Sequence, residues 1–217
     1  MLTIQVELPG VRLGLVEAEG ATVSPTGTEL LREMDEFCFQ LRSKHSMESI
    51  AESQAVAAVR GMFRRWGVDP SKYRPSSEAL MRRLVQGKGL YNISNIVDLS
   101  NLGSIETGWP YGLYNRKNIA PPITFRHGRA EEKYEGIGRR IWHLAGRPVL
   151  ADAHGPFGSP ISDSTRTQIA EGVSEVLTVL FAPAGATDTA IEAAMETQAR
   201  RLTEHAGAGK VENSLIG

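Results

Sequence analysis

Residues 94–107, SNIVDLSNLGSIET, constrain the fold more than any other stretch of the chain. Ile96, Val97, Leu99, Leu102 and Ile105 wrap most of the circumference of a helix, so a helix here is buried on more than one side. Asp98, Ser100, Asn101, Gly103 and Ser104 stand among them. A helix that only packs has no use for that polar load, because each buried polar group needs a partner. The helix therefore reads as one wall of a binding cleft. Ser94 is its N-cap, Gly108 ends it, and Pro110 lies beyond. Residues 75–115 as a whole predict a helix, a glycine-rich turn, this second helix and a tight turn back.

Residues 2–8 and 11–18 alternate apolar and polar and predict strands joined at Pro9-Gly10. A helix over 28–43, capped by Thr28, carries Leu30, Leu31, Met34, Phe37, Cys38 and Leu41 on one stripe. A second begins after Ser46, runs to Trp66 and stops at Gly67 and Pro70. Tyr73-Arg74-Pro75 is extended, since a residue before proline avoids the helical region. A third helix covers 76–86. From 117 the pattern changes to strands, at Ile123–Arg126, Pro148–Asp152, Arg166–Ala170 and Glu175–Phe181, with the last two expected to pair. The loop 153–164, AHGPFGSPISDS, reads as a lid. A final helix, 188–206, opens with the capping box Thr189-x-x-Glu192 and leaves a polar tail, 207–217, expected to fray. A helical first half and a strand-rich second half argue for an α+β fold.

A chain of 217 residues can hide roughly 70% of its unfolded surface, enough for one large domain or two small ones. No linker-like stretch divides it, so a single domain over 1–217 is expected. The apolar runs are too short to span a membrane, and the N-terminus lacks the basic-then-apolar form of a signal peptide, so a cytoplasmic location is expected. The lone cysteine, Cys38, lies on the apolar stripe of the first helix and reads as a buried, inert thiol. The five histidines, at 45, 127, 143, 154 and 205, offer no pair four residues apart, so neither metal nor cofactor is expected. No Gly-x-Ser-x-Gly elbow points to a triad hydrolase.

The net charge of −1 argues against coating nucleic acid by charge alone. The distribution is uneven. Residues 60–88 hold eight bases against Asp69 and Glu78, whereas residues 1–59 hold nine acids against four bases. Arg60, Arg64, Arg65, Arg74, Arg82, Arg83 and Lys88 are either solvated helix faces or a patch that faces RNA phosphates.

The order of motifs resembles a known module. Asn95-Ile96-Val97-Asp98-Leu99-Ser100-Asn101, followed by Glu106-x-Gly108-x-Pro110, is similar to the editing module of the bacterial phenylalanyl-tRNA synthetase beta subunit, the B-three/B-four tRNA-binding domain. Ile123-x-Phe125-Arg126 with Glu132 matches its strand and turn, and Val149-Leu150-Ala151-Asp152 its next strand. GPFGSPISDSTRT, residues 155–167, and RPSSEALMRR, residues 74–83, look closer to freestanding relatives of the module. The likeness covers residues 74 to 183, about half the chain, and the flanks read as the ends of a freestanding member.

The resemblance implies mixed or antiparallel β layers with helices packed on them, a tRNA partner, and hydrolysis of a mischarged aminoacyl-tRNA ester. It also implies a pocket in which Glu132 reads a substrate hydroxyl and Ser100 and Asn101 line the wall. Two departures stand out. Gly112 occupies the place of the family histidine that helps hold the hydrolytic water, and Glu131 replaces a turn glycine. Each candidate also has a plainer reading. Ser100 and Asn101 are equally at home on a helix–helix seam, Glu132 on an exposed acidic turn, and His154 on the surface. Ser159, Asp163 and Ser164 fit either a turn or a site for the terminal adenosine of tRNA. His154 and Asn101 are the catalytic candidates. Without a base at Gly112, the module is either a deacylase working by electrostatic stabilisation or a binding module for RNA, an amino acid or an adenosine-like ligand.

Overall fold

The computed structural model describes residues 2–217. Its longest pairing joins β2 (Val11–Glu19) and β9 (Glu175–Pro183), antiparallel along their full nine residues. Both are rich in Val and Leu, and β9 is buried almost throughout, as a strand covered on two faces must be. β3 (Tyr111–Asn115) pairs on the far side of β9, and β10 (Lys210–Ile216) on the outer edge of β2, giving the order β10-β2-β9-β3. The second sheet runs β1-β4-β7-β8. There β1 (Ile4–Val6) lies parallel to β4 (Ile123–His127), while β7 (Pro148–Asp152) and β8 (Gly155–Gly158) continue antiparallel. β5 (Lys133–Glu135) and β6 (Ile141–His143) form a separate ribbon. The fold is α+β with one mixed and one antiparallel sheet, as the sequence implies.

The two sheets meet through aromatic rings. Phe125 of β4 lies 5.3 Å from Phe181 of β9, and Trp66 stands edge-on to Phe125 at 5.5 Å. The helices are α1 (Thr28–Lys44), α2 (Gln54–Arg65), α3 (Ser76–Val85), α4 (Asn95–Thr107) and α5 (Asp188–Ala206). α4 packs against α1, α3, α5 and β3, and nine of its thirteen residues are buried. That enclosure is what its all-round apolar pattern demands. No helix is long and apolar enough to cross a membrane among the described residues.

Several elements differ from expectation. The helix expected over 46–66 is broken, because Ser46 N–H donates to Ser49 Oγ (2.9 Å) and Ser53 Oγ donates to the Ile50 carbonyl (2.9 Å). These local bonds compete with the helical ladder and leave a 3-10 turn, Ser49–Glu52, ahead of α2. Gly27 rather than Thr28 occupies the cap of α1, and Thr187 rather than Thr189 caps α5, accepting from Ala190 N (3.2 Å). Arg166–Ala170 is not a strand. Ser164 Oγ accepts from Arg166 N and starts a 3-10 turn, and β9 pairs with β2 and β3 instead. The loop 153–164 is no lid: it holds β8 and a clamped turn. The tail does not fray either. β2 would otherwise present an unpaired edge, and the polar strand β10 covers it with half-buried residues.

Hydrogen exchange should show alternating amide protection across residues 210–216. Uniformly fast exchange along that segment would mean that β2 is left uncovered.

Candidate binding cavity

A cavity of about 860 Å³ opens between α3, α4, β3 and the segment 161–169. Leu80, Val97, Leu113, Ile161 and Ile169 make its walls apolar. The polar load of α4 divides in two around it. Asp98 and Asn95 face away and hold loops. Asp98 accepts from Thr26 Oγ1 (2.6 Å) and Ile93 N (3.1 Å), and Asn95 Nδ2 donates to the carbonyls of Thr22 (2.9 Å) and His205 (2.8 Å). Burial raises the Asp98 carboxyl above its usual range.

Ser100, Asn101 and Ser104 line the cavity. Ser100 Oγ accepts from Gln198 Nε2 (2.8 Å), and Ser104 Oγ donates to the Trp109 carbonyl (2.8 Å), so both hydroxyls are engaged in the wall. Asn101 is half-buried, and its amide makes no hydrogen bond among the described residues. It is the polar side chain of α4 that lines the cavity without a hydrogen bond.

The lining carries four cations, Arg74, Arg82, Arg83 and Lys88, and a single acid, Asp163. The cations are not equivalent. Glu78 is fully buried and gathers Arg60 (2.8 and 3.1 Å), Arg82 (2.7 Å) and, more loosely, Arg74 (3.7 Å). Burial alone would raise the Glu78 carboxyl, yet Arg60 and Arg82 hold it below its usual range. Arg60 is therefore neutralised and off the lining, and Arg82 serves the wall. Arg64 and Arg65 end α2 in solvent, away from the cavity. Arg83 stacks 3.9 Å from the Tyr91 ring and donates to the Gly89 carbonyl (2.9 Å). The charge available at the mouth comes from Arg74, Arg83 and Lys88.

Asp163 is built into the opposite wall. Its Oδ1 accepts from Tyr114 Oη (2.8 Å) and Ser159 N (3.2 Å), and its Oδ2 accepts from Leu113 N at 3.4 Å. All three partners are uncharged. Burial pushes the Asp163 carboxyl up to about 7 despite these donors. The Tyr114 phenol is fully buried and raised well above its usual value, by burial first and then by the adjacent Asp163 charge. A Cβ on Gly112 would lie 2.0 Å from Tyr114 Oη, and one on Gly158 2.2 Å from it. The two glycines clear the channel through which the phenol reaches the carboxylate. Phe157 closes it edge-on, 5.0 Å from the Tyr114 ring.

The sequence-selected residues divide accordingly. Ser100, Asn101 and Asp163 reach the cavity. Gly112 lies behind it, beneath Tyr114. Ser159 is also behind the wall, where its Oγ accepts from the amides of Ile161 (3.2 Å) and Ser162 (3.0 Å) and fixes the turn that presents Asp163. Ser164 is buried and its hydroxyl starts the next 3-10 turn. Glu132 is not on the lining. Arg126 grips it with two bonds (2.7 and 2.8 Å), Arg129 N adds a third (2.7 Å), and Arg126 above all holds its carboxyl below the usual range. It closes a turn. His154 is exposed and off the lining, on a turn tied by the Asp152–Arg166 pair (2.9 Å). Leu113 escaped the sequence reading, and Tyr114 was noted only as the aromatic that follows the G-x-P motif, with no sign that it reaches Asp163.

Gly112→Ala and Gly158→Ala should each destabilise the protein by about 2–3 kcal/mol, seen as a lower urea midpoint, because the phenol has nowhere to move. An unchanged midpoint would mean that Tyr114 lies elsewhere. The pH dependence follows from Asp163. Its folded pKa, about 7, lies above the unfolded value of roughly 4, so the native state binds that proton more tightly. Its contribution favours folding at low pH and is lost as pH rises through that window. Between about pH 5 and about pH 8 the wild type should lose stability relative to Asp163→Asn. Parallel midpoint curves for the two proteins would contradict the desolvated carboxylate.

No curated protein matches the chain. A solved N-terminal fragment of the phenylalanyl-tRNA synthetase beta-subunit from Pyrococcus horikoshii is similar at 14% identity and a TM-score of 0.45, over 97% of this chain and 52% of the fragment. The chain spans about half the length of that fragment. The model of the B3/4 domain matches residues 58–208, well over half of the sequence and the whole of the cavity's lining apart from Met47. The chain belongs to the B3/4 domain family.

Proposed function

We propose that this protein binds the aminoacylated 3′ end of a tRNA and hydrolyses the ester of a mischarged product in trans. The observation that carries this reading is the polarity gradient of the cavity. Cations stand at the mouth, the walls are apolar, and the lining also carries side-chain amides without a hydrogen bond, Asn101 on α4 and Gln168 on the facing segment, and one carboxylate, Asp163. Phosphates suit the mouth, where Arg74, Arg83 and Lys88 neutralise them and release counterions. An aminoacyl side chain suits the apolar interior. Membership of the B3/4 family supports the tRNA partner, and one hydrophobic cluster shared by both sheets supports reading the chain as a single domain.

The chemistry asks little of the protein. Water adds to the ester carbonyl, the bond to the ribose 3′ oxygen breaks, and the proton from water ends on that oxygen, leaving a free 3′ hydroxyl and an amino acid. The Asn101 amide supplies a hydrogen-bond donor for the oxyanion that forms on the way. Preorganised donors of that kind lower such barriers without a strong base. His154 has no part in this scheme, since it lies off the cavity.

One observation favours a second reading. Where the family histidine would help hold water, the space above Gly112 is filled by Tyr114, so a pocket that binds an aminoacyl, adenosine-like or RNA ligand without hydrolysing it is the alternative. A panel of correctly and wrongly charged tRNAs, assayed for amino-acid release, separates the two. Release from a mischarged member, at least tenfold slower in Asn101→Ala, is expected. Tight binding without release supports the second reading, and no binding at all removes both. Affinity should also fall steeply with added salt, and Arg83→Ala with Lys88→Ala should flatten that slope by about two.

A further inference from the structure

We infer that Asp163 is the receptor for a primary ammonium group, so that the cavity takes aminoacyl ligands with a free α-amino group and rejects their N-acylated forms. The inference rests on the aminoacyl reading above for the ligand's class, and on the wall itself for the site. A carboxylate offers about four acceptor positions. Tyr114 and Ser159 occupy two on Oδ1, and neither residue lines the cavity. Leu113 N reaches Oδ2 only at 3.4 Å, and Leu113 and Asp163 both line the cavity. Oδ2 is therefore the under-used oxygen, on an acid that lines the cavity.

The site wants a cation and the protein supplies none. Arg74, Arg82, Arg83 and Lys88 all line the same cavity, but none pairs with Asp163, and the groups behind it, Tyr114 and Tyr134, are neutral phenols. An opposite charge brought to Oδ2 would relieve the burial that holds the proton on. A divalent metal does not fit, because hard cations take six or more oxygens and this wall offers one carboxylate. An ammonium fits: three donors around a compact charge, bonding a carboxylate oxygen at about 2.8 Å. An N-acyl group would replace that charge with a neutral amide and set bulk against a turn that Ser159 and Tyr134 hold rigid. Tyr134 Oη donates to the Ser162 carbonyl at 2.5 Å. Asp163 is thus proposed as a specificity residue, with Asn101 across the cavity left for the ester.

The test needs no RNA. Leucine, phenylalanine and tyrosine amides and their N-acetyl counterparts are titrated into the wild-type protein near neutral pH by calorimetry. At least one free amide should bind tenfold or more tightly than its N-acetyl form, and Asp163→Asn, checked by melting for an intact fold, should abolish the difference. Equal affinities in the wild type, no detectable binding of either series at millimolar concentration, or a preference that survives in folded Asp163→Asn would each overturn the site. A deacylated RNA hairpin with a tRNA-like 3′ end, titrated in parallel, tells the two proposals apart. RNA binding without amino preference overturns the ammonium receptor alone. Amino preference without RNA binding keeps the receptor and removes the tRNA reading.

Discussion

The Tyr114 phenol, threaded between two glycines onto a half-buried carboxylate, is the contact around which the cavity is arranged. It needs Gly112 on its own strand and Gly158 on β8 to have no side chains. It therefore fixes the approach of the two sheets at the point where β3 and β8 come together. The turn that follows β8 is fixed in the same act, because Asp163 answers the phenol while Ser159 N–H answers Asp163. A glycine at 112 that reads as a lost catalytic group when compared with relatives is, in this chain, a space already taken. The same wall carries an acid held by a neutral scaffold.

α4 shows how one helix can serve both packing and binding. Its apolar residues are claimed on several sides, so its polar residues have few directions left. Asn95 and Asp98 use theirs to anchor backbone near residues 22–26, 93 and 205, which sets where the helix starts. Ser100 and Ser104 bond within the wall. That leaves Asn101 as the group without a duty in the fold. A buried or half-buried amide with no partner is an expense in stability, since such groups ordinarily find one. Retaining it is easier to understand if a ligand completes it.

How far the sequence disclosed this can be judged residue by residue. The burial of α4 on several sides was legible because apolar residues around a whole helix have one physical explanation. Strands β4, β7 and β9 were legible because β-rich runs bounded by glycine and proline leave few alternatives. The tail was misread since edge strands are polar, and polarity is also what disorder looks like. The basic run was only half informative: counting charges cannot show that one buried acid, Glu78, bonds both Arg60 and Arg82. Glu132 was chosen by likeness alone, and Arg126, six residues away, was the local signal that it already had a partner. Asp163 was found, but as a turn residue or a site for the terminal adenosine, not as an acid without a counter-ion. Its isolation from every cation is a property of three dimensions.

Charge placement then becomes the link between fold and chemistry. Nearly every acid near the cavity is either paired, as Glu78 is, or lies outside the lining, as Glu132 does. Had Asp163 been given an arginine, its carboxylate would be an ordinary structural ion, held ionised and closed to ligands. Held instead by a phenol and two amides, it keeps a proton near neutrality and leaves Oδ2 with a single long bond. The cations at the mouth and the acid within are far enough apart in role to address two ends of one molecule. A ligand that is anionic outside, apolar along its length and cationic at its inner tip satisfies all three zones at once, and a plain nucleic acid or a plain hydrophobe satisfies only one of them.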